Sequence, residues 1–181
     1  MRIRNNAESF GLVTKLLHWA TALLIIGLIG LGYYMVDLGY YDPWYHDSLE
    51  AHKGLGMLVF VVGVLTLVWR QLSPSPPLHD SLKRWEKIAA TAMHHTLLLL
   101  VLLIPVTGFL VSTSEGQAVA FFAWFEVPAL VVVGEGLRDL AISIHFYSSY
   151  GTAALVAMHA AAAFKHQLID RDGTLARMLW R

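Results

Sequence analysis

Four apolar stretches, each long enough to cross a bilayer, limit what this chain can become. They cover about residues 16–36, 51–72, 88–113 and 145–167. Lipid offers no hydrogen-bond partners, so a spanning segment must satisfy its own backbone, and a single apolar run does so only as an α-helix. At about 1.5 Å of rise per residue, about 20 residues cross the hydrocarbon core. The composition agrees, with 56% hydrophobic residues, 14% charged residues and a mean hydropathy of +0.55, too apolar for an ordinary soluble domain. The expected fold is all-α: an integral membrane bundle of four transmembrane helices, forming one domain over residues 1–181. The first run has no small-residue cleavage site after it and carries a histidine near its start. It reads as a retained span, not a removed signal peptide.

The connections orient the bundle. Residues 1–15 are polar and include Arg2, Arg4 and Lys15. The segment DLGYYDPWYHDSLE reads as an acidic, aromatic loop, and SPSPP stops the second helix. Pro105 is expected to kink the third. Residues 114–144 hold AVAFFAWFEVPALVVVG, which Glu126 and Pro128 interrupt; this reads as an interfacial or cofactor-capping segment, not a fifth span. The tail from Gln167 to Arg181 contains LARMLW and is expected to form a short surface helix. Lys and Arg concentrate in the N-terminal segment, the second connection and the tail. The positive-inside rule therefore puts both termini in the cytoplasm.

A net charge of zero argues against nucleic acid as a partner. With no cysteine, disulfides, iron–sulfur clusters, thiol catalysis and the usual covalent haem attachment are excluded. Nine histidines remain as the obvious ligands for a metal or haem. The fourth run, HFYSSYGTAALVAMHAAAAFKH, places His145, His159 and His166 on one side of one helix. His145 and His159 lie about 21 Å apart along its axis. Topology gives the others their depths. His18 starts the first span at the inner face, and His52 starts the second at the outer face. His94 and His95 start the third at the inner face. Two depth-matched pairs result, His52 with His145 and His18 with His159. One helical histidine is more often packing than ligand, but four paired by depth across three helices are hard to obtain by packing. Bis-imidazole ligation at two depths is how a four-helix bundle can hold two b-type haems, both six-coordinate and so suited to electron transfer. Gly54, Gly56, Gly151 and the Ala160–Ala163 run offer small surfaces for the macrocycles. His46 and His79 read as solvated loop residues.

These marks resemble the bacterial cytochrome b561 family of dihaem membrane cytochromes over nearly the whole chain. They are HW in span one, HKGLG with a later Arg and a Pro-rich stop in span two, HHTLLLLVLLIPVTG in span three, and H-x13-H followed by AAAAFKH in span four. The resemblance implies the same four axial ligands, a bacterial inner-membrane location and quinone as a redox partner. Within the family the chain is similar to the superoxide oxidase type, which takes electrons from superoxide at the outer face and reduces ubiquinone. An anion would be steered by outer basic residues, and Lys53 and Arg138 are the ones available.

A quinone carbonyl needs a donor that can also pass a proton, so His94, His95 and His166 are the quinone-site candidates. Arg70, at the inner end of span two, is a candidate contact for a haem propionate. A second reading is a haem-containing anchor subunit that links a periplasmic dehydrogenase or hydrogenase to quinone.

Overall fold

The structure, a computed structural model, describes residues 2–179. Its long helices are α1 (Leu12–Met35), α2 (Tyr45–Leu72), α3 (Arg84–Thr113) and α4 (Glu135–Lys165). A π-helical turn, His166–Asp170, follows α4 and leads to a short α5 (Thr174–Leu179). Between α3 and α4 lies a two-stranded antiparallel hairpin, β1 (Val119–Phe121) with β2 (Phe125–Val127), pairing Val119 with Val127 and Phe121 with Phe125. The chain is mostly helical, and this short hairpin is its one addition to the all-α expectation among the described residues. The hairpin's strands are rich in Val and Phe, residues that favour β structure, and Pro128 follows directly after β2.

Among the described residues, three helices (α1, α2 and α3) are both long enough and apolar enough to cross a membrane. At 31 residues α4 has the length, about 46 Å at the helical rise. Its first turns carry Glu135, Arg138 and Asp139, and its middle carries Ser148, Ser149 and Thr152, which dilute the apolar character. α4 begins at Glu135, well before His145, because Gly134 ends the extended segment and Glu135 favours a helix N-terminus. α2 likewise begins at Tyr45, so His46 is helical and not in a loop; it is exposed and stacks on Tyr40 and Tyr45.

α1 packs on α2, α2 on α3 and α3 on α4, whereas α4 meets α1 only sparsely. The closed apolar core is small: Ile25, Val59 and Val101, flanked by Leu24, Leu28, Ile29 and Val156. Ile25 follows His18, and Val59 follows His52, by two helical turns, about 10 Å each. Since α1 and α2 run in opposite directions, this core sits at mid-depth, between the two levels of histidine. Leu23, Ile26, Leu65, Val68 and Leu99 face outward and exposed, as a lipid-contacting surface requires.

The end of the bundle that carries both termini is fastened by polar contacts. Asn5 receives bonds from the Gly11 amide (2.8 Å) and the Thr14 hydroxyl (2.8 Å), and its own amide groups donate to Ser73. Trp69 Nε1 donates to Thr14 Oγ1 at 2.9 Å. The tail closes over this end: Arg177 donates to the carbonyls of Glu8 and Pro77, and Trp19 Nε1 donates to the Met178 carbonyl. The expected tail helix is therefore docked on the chain's own basal surface. Trp180, the last residue of LARMLW, and Arg181 lie outside the described residues.

Candidate functional site

α4 supplies one member of each histidine pair. The His18 and His159 rings have centroids 6.2 Å apart at 63°, and those of His52 and His145 are 6.2 Å apart at 70°. Two imidazoles on opposite sides of one metal, each with a metal–nitrogen bond of about 2 Å, have ring centres roughly 6 Å apart. Both pairs therefore have the spacing that trans ligation of one iron needs. His94 also faces His159, but at 5.3 Å and 73°, closer than two trans ligands stand. It is a neighbour of the inner pair.

The His52–His145 pair shows how an imidazole is aimed. His145 Nδ1 donates to the Ile104 carbonyl at 3.0 Å and lies 3.3 Å from Thr107 Oγ1, which itself donates to Ile104 O at 2.8 Å. Bonding one ring nitrogen to a carbonyl fixes the tautomer and leaves Nε2 for a metal. The seat exists because α3 thins at PVTG. A Cβ at Gly108 would stand 2.9 Å from His145 Cε1, and one at Gly32 would stand 3.3 Å from His52 Cε1. His52 Nδ1 is buried without a hydrogen-bond partner. The residues fit a b-type haem: paired imidazoles at ligating distance, one nitrogen anchored, and α4 standing off from α1 except where side chains cross the gap. Gly56 and Gly151 face open space. Gly54 does not. It is buried under the Phe122 ring, with a Cβ there only 3.0 Å from Phe122 Cε1. Phe122 sits at the hairpin tip with φ 50°, a left-handed conformation unusual for a bulky residue.

At the basal end the remaining candidates separate. His95 Nδ1 donates to its own helix at the Thr91 carbonyl, 2.8 Å away, and its ring is exposed. A helix turns about 100° per residue, so His94 and His95 cannot share a face. Arg70 is half-buried and within electrostatic reach of His94. His166 opens the π-helical turn; its Nδ1 lies 2.8 Å from Asp170 Oδ2 and 3.1 Å from Asp172 Oδ2. Burial alone would raise the Asp172 carboxyl, but the Thr174 hydroxyl and amide, with His166 and His79 nearby, hold it below its ordinary value. His79 stays on the exposed connection, bonded to Ser81 Oγ at 2.8 Å. Sequence reasoning passed over Lys15, which the basal end buries to 6% exposure one turn before His18. Its place among polar residues hid it; its position three before a histidine on a helix was the available signal.

The family described as prokaryotic cytochrome b561 matches residues 9–181. The chain is 38% identical over 179 residues to cytochrome b561 homolog 2 of Escherichia coli (strain K12), covering 99% of this chain and 95% of that protein. It is 28% identical over 169 residues to cytochrome b561 homolog 1 of the same organism, covering 91% of this chain and 93% of the relative. The probable superoxide oxidase CybB of Yersinia pestis is 23% identical over 168 residues, covering 90% of this chain and 91% of its own length.

Proposed function

This chain belongs to the prokaryotic cytochrome b561 family, and on that premise we propose that it is a four-span, dihaem electron carrier between an outer-face donor and the quinone pool. His18 with His159, and His52 with His145, hold one b-type haem each. The observation that carries this reading is the equal 6.2 Å spacing of the two pairs. Bound haem supplies one-electron transfer at each level. α4 is the fourth span, and both termini are cytoplasmic.

The donor in this reading is superoxide, which leaves as dioxygen after losing one electron. Its support is the printed name of the Yersinia relative; Lys53 and Arg138 are the basic residues near the outer end, set among mostly acidic loops. The acceptor is ubiquinone, which takes two electrons and two protons at the basal end. His94 stands against His159, which supports giving it the role of donor to a quinone carbonyl. Asp170 and Asp172 accept on the Nδ1 side of His166, so its Nε2 is the nitrogen left to face a quinone, as an acceptor in the neutral ring and as a proton donor in the imidazolium. His95 serves as an outward wall and Arg70 as a propionate contact.

The test uses purified, haem-loaded protein with enzymatically generated superoxide and a soluble ubiquinone. Haem reduction followed by quinol formation, without any other subunit, is the expected result. Turnover only in the presence of a co-purifying dehydrogenase would replace it with the anchor-subunit reading.

A further inference from the structure

The turn after α4 brings together more metal-ligating groups than the electron path uses. Glu86, His166 and Asp170 present ligand atoms that all lie within 4.8 Å of one another. Asp172 stands beside His166, with Oδ2 3.1 Å from Nδ1. We infer that Glu86, His166, Asp170 and Asp172 form a binding site for a first-row divalent transition metal, zinc foremost, at the basal mouth of the bundle.

Burial distinguishes this cluster from an ordinary acidic surface. The Asp172 side chain is 2% exposed and that of Glu86 is 10% exposed. Asp172 Oδ2 and His166 Nδ1 are both buried without a hydrogen-bond partner, although they face each other at ion-pair distance. A buried carboxylate oxygen and a buried ring nitrogen side by side, neither in a well-formed hydrogen bond, are groups that a cation would satisfy. Two ligands of a tetrahedral zinc stand roughly 3.3 Å apart, so the 2.8 Å and 3.1 Å separations at His166 Nδ1 need only a slight opening. One imidazole among carboxylates suits zinc, manganese or iron better than calcium or magnesium, which prefer oxygen alone.

A cation already visits this place. Lys165 Nζ lies 2.9 Å from Glu86 Oε1 and 2.6 Å from Asp170 Oδ2. Its side chain is 42% exposed on a flexible stem, so it can swing out as a metal enters. Lys165 is thus a built-in competitor. The consequence for turnover rests on the proposed quinone role of His166: a metal on Nδ1 blocks the route by which that imidazole regains a proton, so zinc slows quinol formation without slowing haem reduction.

The experiment is calorimetric titration of haem-loaded, chelator-treated protein with zinc chloride, alongside the haem spectrum. Saturable binding of one zinc per chain is expected. Asp172→Asn and His166→Gln should each weaken it at least tenfold, and Lys165→Gln should strengthen it, a gain that misfolding cannot produce. No saturable binding, or binding unchanged in both ligand variants as an exposed histidine would give, overturns the site. If zinc binds as described yet leaves quinol formation untouched, the metal site stands and the quinone role of His166 falls.

Discussion

Gly108 has no side chain because the His145 ring occupies that space. An added Cβ would meet Cε1 at 2.9 Å, and the ring cannot retreat while Ile104 O holds its Nδ1. Gly108→Ala should therefore displace the ligand and lose the outer haem, halving the haem absorbance per chain while the inner haem keeps its spectrum. Unchanged absorbance would show that the ring tilts instead. PVTG was visible in the sequence as part of a family mark, but its task was not, because it depends on α3 and α4 meeting at that point. His94 and His95 show the same limit. Adjacent in sequence and equal in depth, both stood as candidates until one faced His159 and the other bonded to Thr91. His94→Ala should slow quinol formation by about tenfold or more, as loss of a proton donor does, and His95→Ala should leave it within about twofold. Steady-state quinol formation under saturating donor measures both; equal effects would contradict the assignment.

The long helices were legible because their apolar runs exceed what any soluble core needs, and because prolines and charges mark their ends. Their starts were harder to read. α2 and α4 begin inside segments that look like loops, since helix propensity near Tyr45 and Glu135 is not tied to hydropathy. The hairpin was illegible for a different reason: three-residue strands fall below any periodic signal, and β1 is held by packing on α2. That packing is concentrated at Gly54, where a Cβ would press on the Phe122 ring at 3.0 Å. Gly54→Ala should loosen the hairpin by roughly 1–2 kcal/mol, the usual scale of overpacking. Limited chymotrypsin digestion in detergent should then cut at Trp124 faster, and adding Phe122→Ala should relieve the clash. Cleavage unchanged by Gly54→Ala would mean that the ring is not seated there in solution.

At the scale of the molecule, α4 decides the architecture. It is long enough to cross but is the least apolar of the four long helices, so in the proposed reading its crossing rests on its histidines finding partners on α1 and α2. The absence of cysteine makes the topology simple to test with single replacements. Trp124→Cys should react with an impermeant thiol reagent from the outer side in cells. Ser75→Cys and Gln167→Cys should react only in inverted vesicles. Gln167→Cys reacting from the same side as Trp124→Cys would remove α4 as a span. The pairing itself is tested most directly by haem stoichiometry, taken as pyridine haemochrome per chain in the wild type and in His145→Ala and His159→Ala. About two haems in the wild type and about one in each variant is the expected result. A single haem in the wild type, or undiminished haem in either variant, would contradict the assignment of two bis-histidine sites along α4.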